Sequence, residues 1–340
     1  MRAAVLYSPR NLVVKEVEDP RPGPGEVLIR VRSAGICQTD LRFYTGAGGS
    51  ARVPFGEQSY GLTAHEWSGE VVELGPYVEE FSVGDHVVPD FLVTCGKCRY
   101  CIRGMTNLCP RRRTYFRGFA EYAVAYAANT YKVLGTMGLD ESFLTEPLST
   151  VLNANEIAGV SVGDVVVVVG AGAMGLLNLQ VSKLEGAFVV VSDLRRDRVR
   201  IAREMGADVA VDSMEESLSD VVESVSDGYG ADVAIVTAGD KKVIEESVKL
   251  LAKAGRLIIF AGTYPPSDIT LDPNKIHYHQ VQITGSYDHQ RHHFQKAIEL
   301  ISRGRLKIKQ LITHVFPLEK IEEGFRVVEE KLGIKVLIKP

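Results

Sequence analysis

Four of the five cysteines fall within fifteen consecutive positions, with the spacing C-x2-C-x2-C-x7-C: Cys95, Cys98, Cys101 and Cys109. Thiolates this close together can form disulfides, hold an iron–sulfur cluster or bind a zinc ion. The last interval is longer than ferredoxin spacing, and a chain of 340 residues is large enough not to need disulfides. The pattern therefore favours a zinc ion with four thiolate ligands, which leaves no coordination position open for a substrate.

The fifth cysteine, Cys37, belongs with other metal-binding residue types elsewhere in the chain. His65 and Glu66 are adjacent in AHEWSGEVVELG, and Glu146 lies in TEPLST. Cysteine, histidine and a carboxylate are the mixture that zinc takes when one coordination position must stay open. The sequence thus contains a second candidate metal site, of the kind that can bind a substrate.

A glycine-rich segment follows the five consecutive valines Val165–Val169. A β-branched run without alternation is typical of a parallel strand that is buried on both faces. Gly170, Gly172 and Gly175 then complete G-x-G-x-x-G, which provides a tight turn, close approach of the backbone to a pyrophosphate, and close packing of helix on strand. The segment predicts a dinucleotide-binding loop at the N-terminus of a helix.

Asp193 stands at the end of the next predicted strand, residues 187–192, and lies 23 residues after Gly170. A carboxylate at this place accepts hydrogen bonds from the adenosine ribose and repels a 2′-phosphate, so the sequence predicts NAD rather than NADP. Three arginines follow closely and leave the opposite preference open, because guanidinium groups bind phosphate: Arg195, Arg196 and Arg198.

The elements that must position this loop alternate regularly along the second half of the chain. Strand-like runs at 207–212, 231–239, 255–263 and 281–287 are separated by helical stretches such as 241–253. This alternation predicts an α/β domain with a doubly wound parallel sheet of about six strands. The run at 281–287 is expected at a sheet edge, where it can pair with a second copy of the chain.

Composition limits the classes of partner. The net charge of −4 and the pI near 6.1 provide no overall basic field for nucleic acid, although residues 111–113 are a local arginine run. No apolar run is long enough to cross a bilayer, and the N-terminal MRAAVLYSPR lacks the apolar stretch of a secretory signal. We expect a cytoplasmic protein with no membrane or nucleic-acid partner.

Seven motifs resemble those of the zinc-containing medium-chain dehydrogenases, in the same order and at similar intervals. They are GICQTD, AHEWSGEVVELG, FSVGDHVV, the four-cysteine segment, GFAEY, EPL and GAGAMG. The chain looks most like the polyol (sorbitol-type) dehydrogenases and next like the threonine dehydrogenases. The resemblance implies a GroES-like β-barrel catalytic domain, residues 1–150 and 286–340, around a Rossmann domain at 151–285.

The resemblance also implies the site residues. The catalytic zinc would be held by Cys37, His65, Glu66 and Glu146, with Thr39 accepting the hydroxyl proton and Asp40 accepting a hydrogen bond from His65. The implied enzyme contains two zinc ions per chain, takes a small alcohol or polyol as substrate, uses NAD and forms a homodimer or homotetramer. The expected cofactor contacts are Gly170, Gly172, Ala173, Met174, Gly175, Asp193, Arg198 and Thr237.

Two residues depart from the family pattern. Arg42 stands where many relatives have a histidine that completes the proton relay, and an arginine cannot release its proton. Ala64 replaces the usual glycine before the His-Glu pair, which is a smaller change. Four aromatic residues near these motifs are candidates for the substrate pocket or for the core: Tyr44, Phe55, Phe116 and Phe119.

Three alternative functions remain to be weighed. A threonine 3-dehydrogenase, or another sugar or alcohol dehydrogenase, would use the same chemistry as a polyol dehydrogenase. A nucleic-acid-binding zinc ribbon or an iron–sulfur electron carrier would explain the four-cysteine segment alone. Neither of these two accounts for the glycine-rich loop or for Cys37 with His65.

Overall fold

The computed structural model describes residues 1–47, 55–61, 63–135 and 137–340. Within it the chain forms two compact units, one of residues 1–147 with 290–340 and one of residues 148–289. The domain boundaries expected from the sequence, at 150/151 and 285/286, remain a prediction. No helix in the described residues is both long and apolar enough to span a membrane.

The first unit begins with strands of two to eleven residues and few helices, which is consistent with its alternating apolar segments. Two-stranded pairs form between β1 and β2 and between β6 and β7. The elements before the unit boundary are β1 (Arg2–Ser8), β2 (Asn11–Glu16), β3 (Glu26–Ile36), α1 (Gln38–Thr45), β4 (Trp67–Leu74), β5 (His86–Pro89), β6 (Leu92–Val93), α2 (Arg99–Ile102), β7 (Arg113–Thr114), β8 (Tyr122–Tyr126), β9 (Thr130–Lys132) and α3 (Leu139–Ser142), and the boundary falls within α4 (Thr145–Ala158).

The second unit alternates strands and helices as predicted, and all its strand pairs are parallel, in the order β12-β11-β10-β13-β14-β15. This arrangement confirms a parallel sheet of about six strands. Its elements are β10 (Val165–Val169), α5 (Ala173–Leu184), β11 (Phe188–Asp193), α6 (Arg196–Met205), β12 (Val209–Asp212), α7 (Leu218–Val225), β13 (Ala231–Val236), α8 (Lys241–Lys249), β14 (Leu251–Ile259), α9 (Pro273–His279) and β15 (Gln282–Gly285).

The valine strand is buried on both faces. Val167 packs in one cluster with Val190, Val211 and Val222, while the alternating neighbours Val166 and Val168 are fully buried on the opposite face. A parallel strand in the middle of a sheet has helices on both sides, which explains why this strand lacks a polar face.

One predicted helix is too long. The helical stretch predicted at 241–253 ends at Lys249, and β14 begins at Leu251. Leu251 is 5% exposed and pairs with Ala231 of the neighbouring strand. The hydrogen bonds and burial available at the sheet outweigh the helix propensity of the local sequence, which a short-range pattern cannot show.

The first unit is completed by the C-terminal segment, with α10 (Arg291–Ser302), β16 (Ile312–Pro317), α11 (Ile321–Glu329) and β17 (Lys335–Lys339). The last strand enters the sheet of the N-terminal segment, which has the order β16-β17-β3-β4-β5-β9, with β8 also paired to β3. Its core includes Trp67, Phe119, Phe325 and Ile338. The pairing of β17 with β3 places the end of the chain beside Cys37, because Val336 lies opposite Ile36.

Candidate active site and metal centres

Cys37 lies at the junction between β3 and α1, where it is the N-cap residue of the helix. Its backbone N–H donates a hydrogen bond to Oδ2 of Asp40, at 2.7 Å. A carboxylate in the first helical turn is stabilised by the unpaired N–H groups and by the helix dipole. The capping interaction therefore fixes the backbone that carries the Cys37 sulfur.

His65 lies just before β4, and its ring does not donate the expected hydrogen bond to Asp40. Nδ1 lies 3.1 Å from the carbonyl oxygen of Thr63 and 3.7 Å from Oδ1 of Asp40. The direct hydrogen bond is therefore donated to Thr63, while Asp40 accepts from the Thr63 hydroxyl and contributes its charge. With Nδ1 as the donor, Nε2 keeps its lone pair for a metal ion.

The burial of these groups shifts their pKa values. Burial raises the pKa of Asp40, whose side chain has no solvent exposure, and the neighbouring cationic and hydroxyl groups only partly oppose this. Burial lowers the pKa of His65, but the Asp40 carboxylate and Cys37 outweigh it, so the pKa lies well above its usual value. When Asp40 is deprotonated, its negative charge thus stabilises a positive charge on the His65 ring or on an ion bound to it.

The structure brings Cys37, His65 and Glu66 together, with one ligand atom from each lying within 4.8 Å of the other two. Sulfur, imidazole nitrogen and carboxylate oxygen are suitable zinc ligands. Among the described residues, Oε2 of the buried Glu66 accepts no directed hydrogen bond. The spacing and the chemistry of these three ligand atoms fit a zinc ion, although Oε2 of Glu66 is also in an ion pair with Lys335.

Glu146, the fourth predicted ligand, is not one of the three side chains in that close group. It is buried in the first turn of α4, and its charge contributes to the raised pKa of His65. Thr39 is exposed in the first turn of α1, and Arg42 is exposed in the last turn of the same helix. The predicted role of Glu146 as a zinc ligand and the predicted role of Thr39 as a proton acceptor stay predictions.

Lys335 was not predicted from the sequence, although it is buried beside the same group. Its Nζ donates a hydrogen bond to Oε1 of Glu66, at 2.6 Å, and forms an ion pair with Oε2. Burial lowers the pKa of Lys335, but the Glu66 charge outweighs it and the net pKa is raised. The only sequence signal was a lysine at the start of the apolar strand KVLIK.

Two aromatic side chains border His65. The ring of Phe91 lies 5.4 Å and that of Phe116 5.7 Å from the imidazole, and the two aromatic rings are 5.5 Å apart. Phe116 was a pocket candidate, whereas Phe91 was missed because it precedes the four-cysteine segment without a motif of its own. Apolar rings beside a metal site exclude water and strengthen its electrostatic interactions.

The other aromatic candidates lie elsewhere. Tyr44 and Phe119 both pack against Phe325, with ring centroids 4.6 Å and 6.0 Å apart respectively. Phe119 is fully buried in the core of the first unit, while Phe55 is 44% exposed. Phe119 is therefore a core residue, as aromatic residues commonly are.

The four cysteines of the second candidate centre form a compact group of unbonded thiols. Sγ of Cys95 lies 3.9 Å from that of Cys101 and 3.5 Å from that of Cys109, and the Cys98–Cys101 distance is 3.4 Å. These separations are too long for disulfides and near the roughly 3.8 Å expected for four thiolates around a tetrahedral zinc. The geometry of the segment fits a closed zinc site.

Backbone amides and one arginine prepare this segment to hold negative charge. The Lys97 amide holds the pKa of Cys95 down to about 6, whereas burial raises the pKa of Cys101 to about 11. Arg111 donates to Sγ of Cys95 at 3.4 Å, and Arg112 donates to the carbonyl of Asn107 at 3.1 Å. Two residues of the arginine run thus stabilise the segment itself, which weakens the nucleic-acid interpretation.

The glycine-rich loop has a tight turn at Gly170 and close packing of helix on strand at Gly175, as predicted. Gly170 has φ of +102°, and the Thr237 hydroxyl donates to its carbonyl at 3.1 Å. A Cβ on Gly175 would lie 1.7 Å from the Gly170 carbonyl oxygen, so the helix can approach the loop only without a side chain. Ala173 and Met174 begin α5, where Gly172 provides no side-chain cap, and the first amides of a helix have no partner within it.

Asp193 also holds the loop. Its Oδ2 accepts from the Ala171 amide at 2.7 Å, and its Oδ1 accepts from the Arg195 amide at 2.9 Å. Arg198 lies 4.0 Å from this carboxylate, while Arg195 forms an ion pair with Asp197. Asp193 therefore closes the loop, which the ribose-binding pattern did not reveal, while its contact with the ribose stays a prediction.

Two protein-family models match this chain, and each match lies mainly within one of the two compact units. The model of the alcohol dehydrogenase GroES-like domain matches residues 23–135, and that of the zinc-binding dehydrogenases matches residues 173–303. The predicted fold, a GroES-like domain with a Rossmann-type parallel-sheet domain, is thereby confirmed.

Individual relatives extend the similarity over nearly the whole chain. The sorbitol dehydrogenase of Halalkalibacterium halodurans is 32% identical over 97% of this chain and 96% of its own length. The L-threonine 3-dehydrogenase of Pyrococcus horikoshii is 34% identical over 92% and 90%. The crystal structure of 2R,3R-butanediol dehydrogenase from Bacillus subtilis has a TM-score of 0.89 at 27% identity, with 100% of this chain and 99% of that chain covered. The chain therefore belongs to the zinc-binding dehydrogenases of the alcohol dehydrogenase superfamily, and it is an oxidoreductase.

Proposed function

We propose that this dehydrogenase oxidises a secondary alcohol group of a polyol, with NAD as the hydride acceptor and two zinc ions per chain. The observation that carries this proposal is the group of Cys37, His65 and Glu66, whose ligand atoms lie within 4.8 Å of one another beside two aromatic rings. The relatives named for sorbitol and butanediol support a polyol or diol as the substrate class.

Cys37, His65 and the carboxylates of Glu66 and Glu146 would hold the catalytic zinc. When bound there, zinc supplies Lewis acidity that lowers the pKa of an alcohol hydroxyl. Hydride loss from an alcohol is favoured when its hydroxyl has lost the proton, so this site must also provide a route by which the proton leaves.

The side chains around the site orient the reactants and move the proton. Thr39 is exposed on the turn that follows Cys37, where its hydroxyl can accept the substrate proton and pass it to water. Asp40 fixes this turn through the Cys37 amide. Phe91 and Phe116 keep water away from His65, which strengthens charge interactions at the reacting hydroxyl.

Metal analysis and an initial-rate screen test this function. We expect about two zinc ions and no iron per chain, with oxidation of polyols or vicinal diols. The screen includes sugars, inositols, simple alcohols and L-threonine, each with NAD and with NADP. L-Threonine is the second candidate substrate because the threonine dehydrogenase relative is 34% identical. Iron with visible absorbance, or no oxidation of any alcohol, would contradict the proposal.

Cys98→Ser is expected to remove the zinc of the four-cysteine segment and to destabilise the first unit. Three thiolates hold zinc less tightly than four, and Cys98 also caps α2 by accepting from the Cys101 amide at 3.5 Å. A loss of roughly 2 kcal/mol corresponds to a decrease in Tm of about 5 °C for a unit of this size. The matched change Cys37→Ser should also remove one zinc ion, but with a smaller decrease in Tm and a much larger loss of activity. Retention of both zinc ions in Cys98→Ser would refute the assignment.

Asp193→Ala is expected to reduce the preference for NAD over NADP by about tenfold, since a hydrogen bond to a charged group contributes about 1.5–3 kcal/mol. Loop loosening through Ala171 affects both cofactors, so the ratio of their kcat/KM values is the informative measurement. Asp197→Ala is the control, because Asp197 is an exposed acid nearby that pairs with Arg195. An unchanged ratio in Asp193→Ala would exclude the ribose contact.

We also propose that the chain is cytoplasmic and forms a homodimer or homotetramer. The strand β15 (Gln282–Gly285) lies at an edge of the parallel sheet, and its residues are mostly exposed. An exposed edge strand offers backbone groups that a second copy can pair with. Light scattering of the purified protein measures the oligomer size, and a monomer at micromolar concentration would contradict this proposal.

A further inference from the structure

A buried ion pair joins the N-terminal and C-terminal segments of the first unit at the candidate metal site. Lys335 is 5% exposed and Glu66 is 1% exposed, and the ammonium nitrogen lies 2.6 Å from Oε1 of the carboxylate. Lysine is seldom buried this deeply, because removing an ammonium from water is unfavourable unless a charge of opposite sign compensates it. The Glu66 carboxylate therefore compensates the buried charge of Lys335, and the proposed mechanism gives this lysine no role.

The sheet register determines where this pair lies. Val336 is opposite Ile36, so Lys335 at the start of β17 comes beside Cys37 at the end of β3. Gly35 leaves the space for the carboxylate, because a Cβ there would lie 2.3 Å from Oε2 of Glu66. The Glu66 carboxylate thus contacts the Lys335 ammonium and also lies within 4.8 Å of the ligand atoms of Cys37 and His65.

A metal ion and an ammonium attract the same carboxylate. Each oxygen that is paired with Lys335 has less electron density to give to a metal ion, and the two cations repel each other across the shared anion. Without the lysine, the full negative charge of Glu66 would be left in a buried place where the metal is the nearest cation. Glu66 would then act as a stronger ligand.

We propose that Lys335 is a positioning residue that weakens the bond from the Glu66 carboxylate to the metal at Cys37 and His65, so that this ligand can give up its coordination position to the substrate. This inference rests on the proposed function, because it requires a metal at these ligands. It predicts that a Lys335 variant binds zinc more tightly and yet turns over substrate more slowly. A lysine with only a structural role would not have this pair of effects, since its loss would weaken zinc binding and activity together.

The experiment measures zinc release from the loaded, full-length enzyme into excess chromophoric chelator, in wild type, Lys335→Met, Lys335→Arg and Lys339→Met. Changes outside the ligand shell alter metal affinity by about 10- to 100-fold. We expect release of the catalytic zinc from Lys335→Met to be about tenfold slower than from wild type, and kcat to decrease by a similar factor. Lys335→Arg keeps the cation and should restore both values most of the way.

Lys339→Met is the matched control. It removes a lysine from the same strand, but one that is 44% exposed and pairs with the exposed Asp140. Its zinc release and kcat should equal those of wild type. If Lys335→Met does not fold, the double variant Lys335→Met/Glu66→Gln removes both buried charges and is compared with Glu66→Gln alone. Equal release from these two proteins is expected, because the lysine acts only through the carboxylate.

The outcomes separate this inference from the proposed function. If wild type contains no second zinc ion, or if Cys37→Ser leaves the zinc content unchanged, the proposed function itself fails. If wild type holds both zinc ions but Lys335→Met releases the catalytic zinc at the wild-type rate or faster, only the role of Lys335 is refuted. A change in NAD affinity without a change in zinc release would also refute it, since Lys335 would then serve the cofactor.

Discussion

Cys37→Ala lowers kcat/KM by at least about a thousandfold, or about 4 kcal/mol of transition-state stabilisation, if the open metal site is the catalytic centre. Cys37 provides the only sulfur of the group that includes His65 and Glu66. Its replacement leaves an imidazole and carboxylates, which hold zinc more weakly and with a different charge. The measurement is initial-rate kinetics on the best polyol, together with the zinc content of the purified variant, which should decrease from about two ions to about one.

The Cys37→Ala protein should still fold and bind NAD. The backbone of Cys37 stays held, because the N–H that bonds to Asp40 belongs to the main chain. The dinucleotide loop belongs to the other compact unit, residues 148–289. Gln38→Ala changes the next, exposed residue and should leave the kinetics unchanged. Wild-type activity in Cys37→Ala would mean that the reaction takes place elsewhere.

Gly175→Ala is expected to reduce NAD affinity by at least about a hundredfold, which corresponds to about 2.7 kcal/mol of binding free energy. The added Cβ would lie 1.7 Å from the carbonyl oxygen of Gly170 and 2.8 Å from its carbonyl carbon. Neither neighbour is a flexible side chain, so the loop or the start of α5 must move by more than an ångström. The amides that are predicted to bind the pyrophosphate would then point elsewhere.

Equilibrium titration with NADH fluorescence measures this loss directly. Zinc content and the unfolding of the first unit should stay as in wild type, since the change lies within residues 148–289. Gly262→Ala is the control in the same unit, because a Cβ there would have no heavy atom within 4 Å. If Gly175→Ala bound NADH as tightly as wild type, the G-x-G-x-x-G segment would have no role in cofactor binding.

Asp40 shows how far a motif can be interpreted from its sequence. The resemblance placed a carboxylate near His65, and the structure has one at 3.7 Å. The hydrogen bond itself goes to the Thr63 carbonyl, and Asp40 bonds instead to the Thr63 hydroxyl and to the Cys37 amide. Which acceptor a buried imidazole selects depends on distances of less than an ångström, and residue spacing does not encode them.

The sequence by itself determined the features that depend on neighbouring residues. The glycines at 170 and 175 are required by local backbone geometry, and the spacing of Cys95 to Cys109 determines which thiols can reach one metal ion. The alternation of strands and helices likewise predicts a parallel sheet, because a parallel connection needs a crossover segment. Each of these constraints acts over a few residues or one supersecondary unit.

Only the tertiary structure decided what surrounds the reacting groups. Lys335 and Glu66 are 269 positions apart in the chain, and they meet because β17 pairs with β3 in one particular register. Phe91 and Phe116 come together beside His65 from either side of the four-cysteine segment. A shift of one residue in a strand register would turn such side chains to the opposite face, so no local pattern could predict which side chains they contact. The predicted ligands of the four-cysteine segment follow from residue type and spacing and those of the second site from the family resemblance, whereas the charge and polarity around them follow from strand pairing.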